Sequence, residues 1–155
     1  MMTPVDPLLV WGLYLRLLAA VQCIALLSIR SQLLALAGSR GATPVASTLQ
    51  QVARDFGSWR ERLLRFPTLL WLGTSDTALL RLADFGLACA LAGVLGLFGC
   101  SPLWMLGVWA VLLSFDDAVG LKYPWDSLIL EATSLAVFMP PLLPVQYPPF
   151  HSISS

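Results

Sequence analysis

Charged residues are scarce in this chain. Only 12% of its positions are Asp, Glu, Lys or Arg while 57% are apolar, and an ordinary soluble domain has about a quarter charged. That is too little charge to surface a single water-soluble core, but a bilayer removes the need, because the outside can be as apolar as the inside. Histidine is nearly absent: His151 stands alone in a tail rich in proline and serine, and no zinc ligand set exists. Cys23, Cys89 and Cys100 are odd in number, widely spaced, and in or beside hydrophobic runs, with no CxxC, so no disulfide framework is indicated. After Arg81 the only base is Lys122. The earlier arginines are interrupted by Leu, Phe and Trp and form no basic stripe, which argues against nucleic-acid binding. A glycine-rich phosphate loop and an acidic metal cluster are also missing. The sequence calls for no cofactor and no metal.

What is present is a series of hydrophobic runs. The first, from Leu8 to Ile29, is long enough to cross a bilayer, and a second apolar piece, Leu33 to Ala37, follows a break at Arg30-Ser31-Gln32. Ala35-Leu36-Ala37 resembles a signal-peptide cleavage site. However, the preceding segment carries Asp6 and no base, and Arg16 interrupts the run, so a retained helix is expected.

Between residues 38 and 81 the chain is mixed. Gly38-Ser39-Arg40-Gly41 and Thr43-Pro44 break the pattern. Val45 to Leu64 then reads as one amphipathic helix, with Leu49, Val52, Phe56 and Leu63 on the apolar side and Arg54, Asp55, Arg60 and Arg62 exposed. Arg65-Phe66-Pro67-Thr68-Leu69-Leu70-Trp71-Leu72 has the mixture expected at a headgroup boundary and is read as lying on the membrane.

Further crossings are expected at about 82–100, 103–119 and 128–145, followed by a disordered tail over 146–155. In the first of these, Ala88, Ala92 and Gly96 recur every four residues and suggest a small-residue packing face. The run from Leu103 to Phe115 is short, and spans only if it continues through Asp116 and Asp117 toward Val119 with those acids facing protein or water. The expected architecture is all-α: a multi-pass transmembrane helical bundle with an interfacial amphipathic helix.

Charges inside such runs are costly. Arg16, Asp84, Asp116, Asp117, Asp126 and Glu131 therefore stand out, with Arg16 and Glu131 as a conceivable pair. The most distinctive stretch is Tyr123-Pro124-Trp125-Asp126-Ser127-Leu128-Ile129-Leu130-Glu131-Ala132. Pro124 suits the first turn of a helix, Asp126 its positive dipole end, and Trp125 the interface. Ser127, Glu131 and Ser134 share one side of that helix, and this polar stripe is expected to be buried against other helices. No nucleophile with a neighbouring base is evident, so catalysis is not expected.

This stretch, continued by Leu135-Ala136-Val137-Phe138 and Pro140, is similar to the WD-S-LLLE-x-x-FLAIF-x-P signature of the lipase maturation factors. Arg16-Leu17-Leu18 leading to Ile24-Ala25-Leu26-Leu27-Ser28 resembles the first helix of that family. The segment from Gln32 to Pro44 resembles its glycine-rich turn, and Phe66 to Leu72 its PTLLW segment. The likeness runs from about Gly12 to Pro141. It implies a multi-pass membrane protein of the endoplasmic reticulum with a chaperone-like part in maturing secreted lipases such as lipoprotein lipase. The implied partners are the bilayer, secreted lipases as clients, and full-length relatives.

Two features depart from the family. Its members continue for several hundred residues beyond the WD-S-LLLE helix, so this chain reads as truncated relative to them, and a product without independent activity is one reading of it. In the family the loop after the first helix is taken to face the lumen, whereas the arginines between Arg30 and Arg81 favour the cytoplasm by the positive-inside tendency. A competing function, read from the residues alone, is a small membrane-embedded enzyme or transporter subunit with Arg16, Asp84, Asp126 and Glu131 as its polar interior.

Overall fold

The computed structural model describes residues 7–97, 102–119 and 124–138. Within them every regular element is helical: α1 (Pro7–Ala37), α2 (Val45–Asp55), α3 (Trp59–Arg65), a 3-10 turn (Leu69–Leu72), α4 (Asp76–Leu95), α5 (Pro102–Val119) and α6 (Pro124–Phe138).

Helix α1 does not break at Arg30-Ser31-Gln32 as the sequence suggested. None of the three lacks a backbone N–H, Arg and Gln are good helix formers, and the Ser31 hydroxyl donates to the Ser28 carbonyl at 2.7 Å. The helix stops at Gly38, where the chain folds back over its own end. Ala42 and Thr43 donate to the carbonyls of Ala35 and Leu36 at 3.0 and 2.8 Å. A Cβ at Gly38 would stand 2.5 Å from the Leu34 carbonyl oxygen, so the return requires a residue without one.

The amphipathic stretch is two helices rather than one, parted at Phe56-Gly57-Ser58. Leu49 and Val52 are buried as expected, whereas Leu63 lies exposed on α3. Helix α4 begins earlier than expected because Ser75 caps it, its hydroxyl accepting from the Ala78 amide at 3.2 Å. It ends at Leu95, with Gly96 left-handed at φ 67°. Helix α5 does run on through Asp116 and Asp117 to Val119. The expected ends at 100 and 145, and the tail 146–155, lie outside the described residues.

Helix α1 packs along α4, α4 against α5, and α5 against α6, while α1 also reaches α5 and α6. The centre of this bundle is formed by Leu26, Leu33, Leu79, Val108, Val111 and Phe115. A smaller cluster of Leu15, Ala19, Met105 and Ala136 fills the end nearer the start of α1.

The outward face of α1 is as apolar as its inward one. Leu9, Leu13, Leu17, Val21, Ile24 and Leu27 are all exposed. A stripe of that length would drive aggregation in water and is the ordinary lipid face of a membrane helix. By length and composition, Leu9–Ala37 and Asp76–Leu95 are each able to cross a bilayer. A close approach between helices supports the packing: Gly86 of α4 faces Val111 and Leu26, and Gly93 faces Ala19. The expected small-residue face of Ala88, Ala92 and Gly96 is therefore rotated. Ala88 is exposed, and the buried small residues are Ala83, Gly86, Ala90 and Gly93, with Ala92 at their margin.

Candidate functional site

The bundle carries a charged position at two levels. At one, the Arg30 guanidinium on α1 grips the Asp84 carboxylate on α4, Nε to Oδ1 at 2.5 Å and Nη2 to Oδ2 at 3.4 Å. At the other, Arg16 lies against Gly96 at the carboxyl end of α4, where a Cβ would come within 3.1 Å of Nη2. The negative end of the helix dipole makes that a favourable seat for a cation. The two arginines are about 21 Å apart along α1 at the helical rise. The residues between them are apolar except Gln22 and Ser28.

Gln22 is fully buried and crosses to α6, where its Nε2 donates to the Thr133 hydroxyl at 2.7 Å. Thr133 in turn donates to the Ile129 carbonyl at 2.6 Å. The other end of the Gln22 amide, Oε1, is buried without a hydrogen-bond partner. The polar side of α6 that packs inward is thus Thr133, with Ala136 beside it. The stripe expected there faces the other way: Ser127 and Glu131 are exposed and Ser134 is half-buried, its hydroxyl turned back to the Glu131 carbonyl. Glu131 does not meet Arg16.

The segment between α1 and α4 is fastened to the bundle. Ser114 on α5, fully buried, accepts from the Leu69 amide at 2.9 Å, and its carbonyl accepts from the Thr68 hydroxyl at 3.2 Å. Leu70 drops into the core beside this clasp. Trp71 donates to the Phe66 carbonyl at 3.0 Å and meets Trp59 edge-on at 5.9 Å. Arg62 closes the α2–α3 corner by donating to the carbonyls of Phe56 and Ala53 at 2.7 and 2.8 Å. Near the other end, the Asp76 carboxylate accepts from the Ser39 amide at 2.7 Å and from its hydroxyl at 2.9 Å. The loop that leaves α1 is thereby tied to the start of α4.

These features do not converge on one reaction centre. Arg16, Asp84 and Glu131 stand apart, at different levels or on different faces. Helix α6 does begin at Pro124, but the side chains of Pro124, Trp125 and Asp126 lie outside the described residues. Among the described residues no three His, Cys, Asp or Glu side chains gather as a metal would require. Sequence reasoning missed Gln22, Thr133, Ser114 and Asp76. Gln22 alone carried a signal, as an amide in the middle of an apolar run.

The chain is matched over residues 9–153 by the family described as lipase maturation factor transmembrane domain. It belongs to the lipase maturation factor family. It is 37% identical over 143 residues to human lipase maturation factor 2, covering 87% of this chain and 20% of that protein. It is 37% identical over 141 residues to lipase maturation factor 2 of Gallus gallus, covering 84% of this chain and 19% of the relative. Human lipase maturation factor 1 is 31% identical over 152 residues, covering 91% and 26%. The chain thus spans about a fifth of the length of the lipase maturation factor 2 relatives. No solved structure matches it. The family description agrees with the lipid-like outer face of α1, and the fold is an all-α transmembrane domain.

Proposed function

We propose that this chain is a multi-pass segment of the endoplasmic reticulum membrane that serves lipase maturation, holding folding machinery at the membrane where secreted lipases such as lipoprotein lipase reach their active form. The observation that carries the reading is the family match along nearly the whole chain. Two structural features agree with it. The bundle presents an apolar exterior suited to lipid, and the segment that follows the amphipathic α2–α3 is clasped to α5 through Thr68 and Leu69, an attachment that suits an interfacial position. Its role is chaperone-like and not catalytic: folding intermediates expose apolar surface, and a partner held in the membrane shields it.

The competing reading, an enzyme or transporter subunit with Arg16, Asp84, Asp126 and Glu131 as its polar interior, needs these groups to share a cavity, and the Asp126 side chain lies outside the described residues. Asp84 is held by Arg30 and Glu131 is exposed, which argues against it.

The test is secretion of active lipase from cells lacking their own maturation factor, after expressing this chain as it stands. Restored activity would show that the transmembrane part assists maturation by itself. Membrane-inserted chain with no restored activity would refute independent action by this segment and assign the activity to parts of the relatives outside the matched fifth.

A further inference from the structure

Where the clasped loop meets α4, a shallow groove of about 320 Å³ opens between Leu69 and Leu72 on one side and Arg81, Leu82 and Phe85 on the other. Its walls are mostly apolar, with the Ser75 and Thr77 hydroxyls at the start of α4 as the neutral polar exceptions. Leu72 is 89% exposed and Phe85 54%. Its one formal charge is Arg81, which is exposed and has no ion-pair partner among the described residues. The acid one turn deeper, Asp84, is already held by Arg30. Of the bases in the segment before α4, Arg62 is held by backbone carbonyls, Arg65 lies 5.6 Å over the Phe56 ring, and Arg40 interacts with Asp76.

Below Arg81 the same side of α4 continues as an exposed apolar track of Phe85, Ala88, Leu91 and Leu95. It covers about 15 Å at the helical rise. The small Ala88 leaves a notch between its larger neighbours. A cation above a long apolar track, at the boundary between an interfacial segment and a membrane helix, complements an anionic amphiphile. Free phosphate would use only the charge. A peptide would bring a row of backbone groups, and the only neutral polar side chains on this wall, Ser75 and Thr77, already bond to each other and, through Ser75, to the Ala78 amide.

We propose that this groove holds one anionic phospholipid, with its phosphate on the Arg81 guanidinium and one acyl chain along Phe85, Ala88 and Leu91. The lipid fills the angle between the loop and α4 and so fixes how the interfacial segment sits on the bilayer.

The test uses the full chain, equilibrated with mixed phosphatidylcholine–phosphatidylserine micelles and transferred to native mass spectrometry, which counts the lipids retained. One phosphatidylserine per chain is expected, kept in preference to phosphatidylcholine. Arg81→Ala should lower its retention roughly tenfold. Arg54→Ala, which removes an exposed arginine remote from the groove, should leave retention unchanged, and Arg81→Lys should restore part of it. Phe85→Ala gives a second measurement that leaves the charge alone, and it too should weaken retention. Equal loss from Arg81→Ala and Arg54→Ala would overturn the site in favour of diffuse attraction. Equal retention of the two lipids, or displacement by inorganic phosphate, would overturn the assignment to an anionic lipid.

Discussion

The Gln22 amide on α1 donates to the Thr133 hydroxyl on α6 at 2.7 Å, across 111 positions of sequence. Both side chains are fully buried, and this bond ties the first described helix to the last. Interhelical hydrogen bonds inside membranes contribute on average only about 0.6 kcal/mol, because alternative partners exist in the unfolded state. Leaving a buried amide with both ends unpaired costs more, about 1–3 kcal/mol. Thr133→Val should therefore destabilise the bundle by about 1–2 kcal/mol. Adding Gln22→Leu should recover much of that, since the polar group is then removed altogether. Unfolding of the single and double variants in detergent measures the coupling. Strictly additive effects would show that the two residues do not act as a pair.

Gly86 makes a sharper test of helix packing. A Cβ there would stand 2.9 Å from Val111 Cγ1 and 3.2 Å from Val111 Cβ, and valine cannot swing away. Gly86→Ala should push α4 from α5 and cost about 1–3 kcal/mol, as overpacking generally does. Ala88→Leu, two residues on but exposed, should stay within about 0.5 kcal/mol. Thermal unfolding of both variants decides which small-residue face is the packed one, and the reverse order would mean that α4 is rotated from the arrangement described here.

These two cases show where sequence reading succeeds and where it stops. Membrane character and helical class follow from composition, and the family signature from Tyr123 to Ala132 is specific enough to name relatives. Helix rotation is harder to read. In water a polar stripe marks the outside, but in lipid both sides are apolar and the rule loses its reference. By pattern Ser127, Glu131 and Ser134 therefore point inward, although Thr133 is the residue that packs. Helix α4 carries two interleaved sets of small residues, and only contact with Val111 and Ala19 selects between them. The clasp at Ser114 was invisible for a different reason. It joins a loop to a helix through a backbone amide and carbonyl, and those groups have no sequence signature.

That clasp can be tested directly. The Ser114 hydroxyl is the acceptor for the Leu69 amide and also donates to the Ala110 carbonyl at 2.6 Å. Ser114→Ala removes an acceptor and leaves the Leu69 amide half-buried without it, a loss of about 1 kcal/mol. Amides from Phe66 to Gly73 should then exchange hydrogen roughly fivefold faster, while those in the middle of α1 and α4 keep their protection. Acceleration spread evenly over the bundle would mean that Ser114 supports the core and not the loop.

The Arg30–Asp84 pair answers a different question, because both side chains are about half exposed, at 43% and 51%. On a water-facing surface such a pair contributes little, since solvent and salt screen it. At the edge of a membrane helix the same charges face a poorer solvent, and an unpaired one is costly. Asp84→Asn would leave Arg30 without its partner carboxylate in that setting, and Arg30→Gln would do the same to Asp84. Each should lower the amount of membrane-inserted chain several-fold, the usual consequence of a modest stability loss in cells. The exchanged pair, Arg30→Asp with Asp84→Arg, should bring most of it back, because the attraction is kept while the positions are reversed. Quantitative blotting of carbonate-resistant membranes reads all four forms. Single variants as abundant as the parent would place this level of the bundle in water, and the interfacial boundary would then have to lie closer to Arg16.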